Sequence, residues 1–311
     1  MDVISRAVEA VRSEAPGIFF KLDEPVKNYT TFKIGGPARV MFFPESINGL
    51  TEVCDILNRH DITPAILGNG SNILASDAKL NIVIINMSGL NSIEPADTRD
   101  TAMQEHWDIR ADAGVLLSQL AVFACENGLT GLEFAHGIPG SLGGAVVMNA
   151  GAYGGEMKDV IYSTVVYNAA DGKCAIPAAG HEFTYRSSRF TGSNDILFSS
   201  VIRLEKGDRE SIKRRMEELN ARRRESQPLD LPSGGSTFKR PKDGYAAALI
   251  EQAGLKGYSS GGAQVSDKHA GFIVNRGDAK FTDVMAVIGH VQETVLKKLG
   301  VSLELEVKVL K

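Results

Sequence analysis

Residues 137–155 read GIPGSLGGAVVMNAGAYGG, and this stretch decides the fold. Glycine recurs through it, so backbone amides can approach a bound group closely and positive φ angles carry little steric cost. Pro139-Gly140 predicts a tight turn, and Ser141 is placed to be the N-cap of a following helix. A glycine loop that leads into a helix N-terminus favours phosphate or pyrophosphate. Because apolar side chains are interspersed, we expect a packed anion-binding loop rather than a flexible surface loop.

The composition is that of an ordinary globular protein. The chain has 311 residues, 43% hydrophobic and 23% charged, with a formal net charge of −4. A prior of about 150 residues per domain predicts two or three domains. The charge gives no sign of nucleic-acid binding, no apolar run reaches the ~18 residues of a membrane span, and Met1–Val8 lacks the features of a signal peptide. We therefore expect a cytoplasmic protein with no nucleic-acid partner and no membrane insertion.

The cysteines and histidines do not form a recognisable metal-binding or disulfide pattern. The three cysteines, Cys54, Cys125 and Cys174, are far apart and include no CxxC pair. Cys54 and Cys125 lie within apolar helical patterns and are expected to be core residues. The six histidines include no pair spaced i, i+4. We therefore predict no metal site and no disulfide framework.

The hydrophobic pattern predicts a chain of mixed helices and strands. Helices are expected near Val3–Arg12, Ile47–Leu57, Val115–Asn127, Asp208–Glu225, Tyr245–Gln252 and Phe281–Leu299. Strands are expected near Ala38–Phe43, Ala65–Leu67, Ile82–Ile85, Asp108–Ala111, Val160–Tyr167, Ile196–Leu204 and Ser302–Leu310. Gln227–Pro232 contains two prolines and is a candidate domain linker, with the boundary near residues 207–225.

A second glycine loop, Gly68–Asn72, follows a predicted strand directly. It is not a GxGxxG fingerprint, because its sixth position is Ile73, and this argues against a Rossmann dinucleotide site. Taken alone, the loop is a turn as readily as a ligand loop. Two polar glycine loops in one domain can, however, hold a pyrophosphate from two sides.

Taken together, Gly68–Leu74 and Gly137–Gly144 resemble the FAD-binding domain of the vanillyl-alcohol-oxidase-like flavoproteins. Within that group the chain is similar to the UDP-N-acetylenolpyruvoylglucosamine reductases. The further stretches that carry this resemblance are Asn28–Gly36, Met148–Gly154, Tyr185–Ser188, Ser233–Lys239 and Gly261–Ser266. They cover nearly the whole chain in the same order, which is far more specific than one glycine loop.

The resemblance implies an α+β fold with an FAD-binding domain at residues 1–206, in subdomains of about 1–88 and 89–206. A C-terminal α/β substrate-binding domain would follow at residues 207–311. The implied enzyme is a flavoprotein that uses NADPH to reduce an enolpyruvyl nucleotide sugar in peptidoglycan precursor synthesis, with roles in cell wall biogenesis, cell shape and cell division. The residues implied to bind FAD are Gly68, Asn69, Gly70, Ser71, Asn72, Ile73, Leu74, Ile138, Pro139, Gly140, Ser141, Gly143, Gly144 and Asn149.

The same resemblance implies three catalytic residues. Arg186 would face the substrate carboxylate, since a guanidinium grips a carboxylate at two points and stays charged. Ser236 would give a proton to the α-carbon, and Glu306 would help to hold the carboxylate and the acid. The final stretch departs from the family pattern, with Leu305 in place of proline and Lys308 in place of arginine.

The substrate-binding residues implied are Tyr185, Arg224, Lys239 and Arg240. Arg240 stands where another branch of the family has asparagine, and His269 could add to the site or be structural. Gly68–Asn72 contains no histidine or cysteine, so FAD is expected to be non-covalent. The alternatives are an FAD oxidase or dehydrogenase of the same fold that acts on a small hydroxy compound, and a non-catalytic flavin- or nucleotide-sugar-binding sensor. The sequence leaves open the oligomeric state, the preference for NADPH or NADH, and the identity of the basic residues that bind the diphosphate.

Overall fold

The computed structural model describes residues 1–96, 106–242 and 244–311. The chain divides into two compact units built from interleaved segments. The first unit comprises Met1–Lys21, Val40–Asn69 and Ile82–Ala221, and the second comprises Leu22–Arg39, Gly70–Asn81 and Arg222–Lys311. The predicted domain boundary at residues 206 and 207 divides the sequence into two continuous stretches with different expected functions. That boundary stays a prediction.

The helices follow the apolar periodicity of the sequence. They are α1 (Val3–Glu14), α2 (Ile47–Arg59), α3 (Leu117–Glu126), α4 (Leu142–Val147), α5 (Arg209–Ser226), α6 (Ala246–Gln252) and α7 (Phe281–Leu299). Each helix predicted from periodicity is present, and α7 has the predicted bounds. Helix α4 begins directly after Ser141, which occupies the predicted N-cap position with an extended backbone, although its side chain makes no capping hydrogen bond.

The strands are numbered in chain order. They are β1 (Phe19–Pro25), β2 (Pro37–Phe43), β3 (Ala65–Leu67), β4 (Ile73–Ala75), β5 (Leu80–Asn86), β6 (Ile93–Pro95), β7 (His106–Asp112), β8 (Leu129–Thr130), β9 (Gly151–Ala152), β10 (Gly155–Glu156), β11 (Ile161–Asn168), β12 (Gly172–Pro177), β13 (Ile196–Lys206), β14 (Ser233–Ser236), β15 (Ser259–Ser260), β16 (Ala263–Val265), β17 (Phe272–Asn275) and β18 (Lys308–Leu310). The internal strands predicted from the sequence are confirmed, with ends that differ by a few residues.

The predicted strand over Ser302–Leu310 is wrong for most of its length, because only Lys308–Leu310 forms a strand. The segment changes partner along its course. Glu306 N donates to Thr237 O at 2.9 Å, whereas Lys308 N donates to Asn72 O at 2.9 Å. No continuous ladder forms between two such partners. Burial alternates in part of the segment, since Leu303 and Val307 are buried and Glu304 is exposed, whereas Leu305, Glu306 and Val309 are all half-buried.

The core of the first unit contains buried residues of a sheet of strand order β12-β11-β13-β7-β6, with β8 also paired to β13, and buried residues of β2 and β5. Helix α4 contacts β13 and β7, and α1 packs against α2. Cys54 and Cys125 are buried, as the sequence predicts, and Cys174 is half-buried. Burial raises the pKa of the Cys54 thiol to about 12, so this thiol behaves as an inert core residue.

The second unit is built on a sheet of strand order β14-β17-β16-β15, against which α7 packs. The buried face of α7 repeats at helical spacing through Val284, Val287, Ile288, Val291 and Val295. Strand β18 pairs in parallel with β4. Across the part of the chain that the structure describes, no helix has both the length and the apolar character needed to cross a membrane.

A buried histidine links three elements of the first unit. His181 is fully buried, and its Nδ1 lies 2.9 Å from Pro177 O. Because a carbonyl oxygen only accepts, Nδ1 donates there and Nε2 accepts from the Thr164 hydroxyl at 2.8 Å. Thr164 Oγ1 lies 2.8 Å from Ser200 Oγ. Burial lowers the pKa of His181, because the imidazolium form would lose its hydration.

We expect this histidine to destabilise the protein in mild acid. An unfolded histidine titrates near pH 6.5, whereas the pKa of folded His181 is lower. As the pH falls below about 6.5, the unfolded state takes up a proton that the folded state does not, so the free energy of unfolding decreases. Urea unfolding followed between about pH 7 and pH 5 should show this slope, and His181→Gln should reduce it.

The matched control is His106→Gln, since His106 is exposed on β7. It should leave the slope unchanged. Burial also lowers the pKa values of His136 and His269, so His181→Gln should reduce the slope without abolishing it. A wild-type slope in His181→Gln would contradict the assignment.

Candidate active site

The two glycine loops meet within the first unit. Gly68 and Asn69 directly follow β3, and Asn69 Nδ2 donates to Pro139 O at 2.7 Å. A Cβ atom added at Gly68 would lie 2.1 Å from Ser141 Oγ, so only glycine fits this approach without a shift of Ser141. The predicted pairing of the loops is therefore present in the part of the first loop that belongs to this unit.

The long loop is firmly packed. Leu142 N donates to Val115 O and Gly143 N donates to Ala113 O, both at 2.8 Å. Leu142 is fully buried and Ser141 nearly so. The prediction of a packed loop is confirmed, and the flexible-loop alternative is wrong.

The rest of the first glycine loop belongs to the second unit. Gly70 has a φ of 60°, and a Cβ atom there would lie 2.1 Å from Tyr29 O. Asn72 Nδ2 donates to Glu306 O at 3.1 Å. Ile73 and Leu74 continue into β4. This loop is thus bonded directly to the segment that carries one predicted catalytic residue.

The chemistry of both loops suits a pyrophosphate. Residues 68–72 and 138–144 contain amide, hydroxyl and glycine backbone groups and no carboxylate. Such donors attract phosphate oxygens, and glycine lets the backbone approach them. The residues present therefore fit the pyrophosphate of FAD. Within residues 1–96, 106–242 and 244–311, no group of three or more His, Cys, Asp or Glu side chains could hold a metal ion.

Arg186 lies at a tight turn of the first unit. Thr184 and Ser187 pair through two backbone hydrogen bonds of 2.9 and 3.3 Å, which leaves Tyr185 and Arg186 at the corner. Arg186 has a φ of 52°, a conformation that costs a non-glycine residue about 1–3 kcal/mol. Its Nη2 donates to Gly151 O at 2.9 Å, and its guanidinium lies 5.2 Å from the Tyr185 ring centroid.

Ser236 and Glu306 are neighbours in the second unit. Ser236 is exposed at the end of β14, opposite Phe272 of β17. The next residue, Thr237, accepts from Glu306 N at 2.9 Å through its carbonyl oxygen. The Glu306 side chain is half-buried, whereas Glu304 is exposed and its Oε2 lies 3.2 Å from Lys239 Nζ. Of the two glutamates, Glu306 is therefore the one whose backbone is bonded to the neighbour of Ser236.

The predicted basic ligands lie in the second unit. Arg240 is exposed, its Nε donates to Gly244 O at 3.3 Å, and its guanidinium lies 4.1 Å from the Tyr245 ring centroid. Arg224 is exposed, and its carbonyl oxygen accepts from Lys268 Nζ at 2.6 Å. Tyr185, the fourth predicted substrate ligand, belongs to the first unit.

His269 is half-buried in the second unit. Its Nδ1 accepts from Gly271 N at 3.2 Å, and its ring packs edge-on against Phe272 at 5.0 Å. Burial lowers its pKa. These contacts favour the structural role over a direct role at the site.

Sequence reasoning missed two residues that organise these segments. Thr237 is buried, its N donates to Gly271 O, and its carbonyl oxygen holds Glu306. Glu156 follows the quoted glycine-rich stretch and bonds back to Asn149. The role of each residue depends on hydrogen-bond partners that the neighbouring sequence does not reveal. For Glu156, its position directly after the glycine-rich stretch was nevertheless an available signal.

Comparison with known proteins agrees with this arrangement. A family model described as FAD binding domain matches residues 38–175. The fold and the loops therefore define a flavoprotein. A second family model, UDP-N-acetylenolpyruvoylglucosamine reductase, C-terminal domain, matches residues 227–310. The chain belongs to the UDP-N-acetylenolpyruvoylglucosamine reductase family.

Individual relatives support this membership along the whole chain. The UDP-N-acetylenolpyruvoylglucosamine reductase of Caldanaerobacter subterraneus subsp. tengcongensis is 47% identical over 288 residues, covering 93% of this chain and 92% of the relative. That of Limosilactobacillus reuteri is 46% identical, covering 96% and 97%. The solved reductase of Thermus caldophilus is 33% identical with a TM-score of 0.77, covering 94% of this chain and 99% of that chain.

These findings confirm several predictions from the sequence. The reductase family, the α+β fold with an FAD-binding domain followed by a C-terminal domain, the FAD cofactor and the oxidoreductase class are all confirmed. The boundary at residues 206 and 207 lies between the two matched ranges and stays a prediction, as do the roles of individual site residues.

Proposed function

We propose that this chain reduces the enolpyruvyl double bond of UDP-N-acetylglucosamine enolpyruvate with hydride from NADPH and forms UDP-N-acetylmuramate. The observation that carries the proposal is 47% identity to a reductase of that substrate class over 93% of this chain. The two glycine loops would hold FAD, and the bound flavin would supply the hydride-transfer chemistry between NADPH and the enolpyruvyl double bond. The protein contributes binding, orientation, charge stabilisation and one proton.

Arg186 is proposed to bind the substrate carboxylate. Hydride arriving at the β-carbon leaves negative charge on the α-carbon and on the carboxylate beside it. A guanidinium can accept this charge at two points and cannot lose its proton. The hydrogen bond from Arg186 Nη2 to Gly151 O supports the role, because a guanidinium that is already held loses less conformational freedom on binding.

Ser236 is proposed to donate its hydroxyl proton to the α-carbon, after which water returns a proton to its oxygen. Glu306 is proposed to assist this proton transfer by orienting the substrate carboxylate and the serine hydroxyl. The hydrogen bond from Glu306 N to Thr237 O supports this pairing of Ser236 with Glu306, because it fixes the backbone of Glu306 relative to the residue that follows Ser236. Serine is a weak acid, so we propose that Lys239 and Arg240 supply the positive charge that favours proton release.

The remaining ligands are proposed from the resemblance and from their exposure. Arg224 and Arg240 are exposed cations in the second unit, as a diphosphate site requires. Tyr185, which is exposed beside Arg186, is proposed as a further substrate ligand. The FAD ligands are proposed to be the two glycine loops given above, with no covalent attachment.

The cellular role follows from the proposed reaction. A muramic acid precursor serves peptidoglycan synthesis, so we propose roles in cell wall biogenesis, cell shape and cell division. The free cysteines suit a reducing compartment, so we propose a cytoplasmic location.

The test follows both half-reactions anaerobically. NADPH should bleach the flavin absorbance of the purified protein, and the enolpyruvyl substrate should restore it. Bleaching without restoration would overturn the proposed substrate and leave the oxidase or sensor alternatives. Acid precipitation should release the flavin into the supernatant, and a yellow precipitate would contradict non-covalent binding.

A further inference from the structure

The Arg186 side chain is held by a small hairpin of the first unit. Strands β9 and β10 pair Gly151 with Glu156 and Ala152 with Gly155. Arg186 Nη2 donates to Gly151 O, at one end of this hairpin. Glu156 lies across from Gly151 in this hairpin, and the positive charge of Arg186 is the smallest of the influences that lower the pKa of its carboxylate. The hairpin therefore offers the guanidinium a carbonyl oxygen and a nearby negative charge.

Asn149 joins this hairpin to the turn that carries Arg186. Asn149 is fully buried and has a φ of 44°. Its Nδ2 donates to Glu156 Oε2 at 3.1 Å and to Thr184 O at 3.0 Å, and its Oδ1 accepts from Lys158 N at 3.0 Å. One side chain thus bonds the acid, the turn and the segment after the hairpin.

We propose that Asn149 and Glu156 are positioning residues that orient the Arg186 guanidinium for the substrate carboxylate. The inference rests on the carboxylate-binding role proposed for Arg186. It assigns the Asn149 side chain to this task, because both of its polar groups are bonded within the protein, and it leaves the Asn149 backbone in the loop proposed to hold FAD.

The physical basis is preorganisation. A free arginine side chain samples many rotamers, and the entropy lost when a ligand orders it lowers the affinity for that ligand. Gly151 O holds one guanidinium nitrogen, and Asn149 bonds Glu156 of the hairpin to the turn that carries Arg186. Glu156 is itself fixed, since Lys158 Nζ lies 2.6 Å from Oε2 and Glu156 N donates to Asp159 at 2.8 Å. The hydrogen bond from Lys158, followed by that from Asn149, holds the pKa of Glu156 below its ordinary value, so the carboxylate is charged at neutral pH.

The test replaces Glu156 with glutamine, which keeps the shape and can still accept from Asn149 but removes the charge. We expect the substrate-driven reoxidation of the flavin to slow about tenfold, because a misplacement of about 1 Å can cost up to 10²-fold in rate. Reduction by NADPH should stay at the wild-type rate. Glu156→Asp keeps the charge and should recover part of the loss. The matched control is Glu182→Gln, which removes one charge from an exposed position in the segment of Arg186 and should leave both rates unchanged.

A double-mutant cycle with Arg186→Ala separates this inference from the proposed function. If Glu156 acts through Arg186, Glu156→Gln should have no further effect in the Arg186→Ala background. An equal loss in both backgrounds would overturn the positioning role. A wild-type reoxidation rate in Arg186→Ala alone would instead overturn the role proposed for Arg186.

Asn149→Gly provides a second, independent variant. Glycine tolerates the φ of 44° and removes all three side-chain hydrogen bonds. It should reproduce the loss seen in Glu156→Gln, again confined to the substrate half-reaction. Equal losses in both half-reactions, with normal flavin content, would assign Asn149 to the flavin site and contradict its role through Arg186.

Discussion

Ser236→Ala is expected to slow flavin reoxidation by the enolpyruvyl substrate about 10²–10⁴-fold, the usual contribution of a general acid. Reduction of the flavin by NADPH should proceed at the wild-type rate, because no proton is delivered to the substrate in that step. Ser236 is exposed at the end of β14, so the loss of one oxygen leaves no cavity and the fold should be unaffected. Anaerobic stopped-flow measurement of the two half-reactions checks both expectations.

The matched control for this variant is Ser259→Ala. Ser259 is also an exposed serine, in β15 of the same four-stranded sheet, and its replacement should leave both rates unchanged. Wild-type reoxidation in Ser236→Ala would show that another group supplies the proton. An equal decrease in both half-reactions would instead indicate a damaged flavin site.

The parts of the fold that the sequence predicted well are set by local chemistry. Helix α7 has the predicted bounds because its apolar residues repeat at helical spacing and Gly300 follows its last residue as the C-cap. The long glycine loop was predicted because Pro139-Gly140 and the following small residues leave few other conformations. Such signals need no knowledge of distant partners.

The parts that were missed depend on distant partners. Apolar residues over Ser302–Leu310 led us to expect a strand, and Leu303 and Val307 are buried accordingly, but the strand begins only at Lys308, where the segment changes from Thr237 to Asn72 as its partner. The interleaving of the two units depends in the same way on where Leu22–Arg39 and Gly70–Asn81 pack. A sequence pattern indicates which side chains are buried, but it does not indicate which segment packs against them.

The candidate site shows the same division. The resemblance implied a role for Glu306, which stays a prediction, and the structure shows its backbone N bonded to Thr237 O. The strained backbone of Arg186 has no signal in the sequence, since arginine has no preference for positive φ. The link from Asn149 to Thr184 spans 35 residues and is visible only once the chain is folded.

Gly70→Ala is expected to be the most damaging small substitution in the proposed flavin loop. The φ of 60° costs an alanine about 1–2 kcal/mol. The new Cβ would also lie 2.1 Å from Tyr29 O and 2.8 Å from Thr30 Cα, both backbone atoms that cannot rotate away. Overpacking of this kind costs a further 1–3 kcal/mol, roughly. The free energy of unfolding should therefore decrease by about 2–5 kcal/mol.

Gly172→Ala separates the collision from the backbone conformation. Gly172 begins β12 with a φ of 70°, and no atom lies within 4 Å of the position its Cβ would take. Alanine at this position should lower the free energy of unfolding only by the conformational cost of about 1–2 kcal/mol. Because Gly70 is bonded to the Asn28–Gly36 stretch through Thr31 N, a forced shift at Gly70 should also displace the loop that is proposed to hold the flavin. Purified Gly70→Ala should therefore contain little flavin, whereas Gly172→Ala should contain a full complement. Equal flavin content in the two variants would show that close backbone approach at Gly70 is not required for cofactor binding.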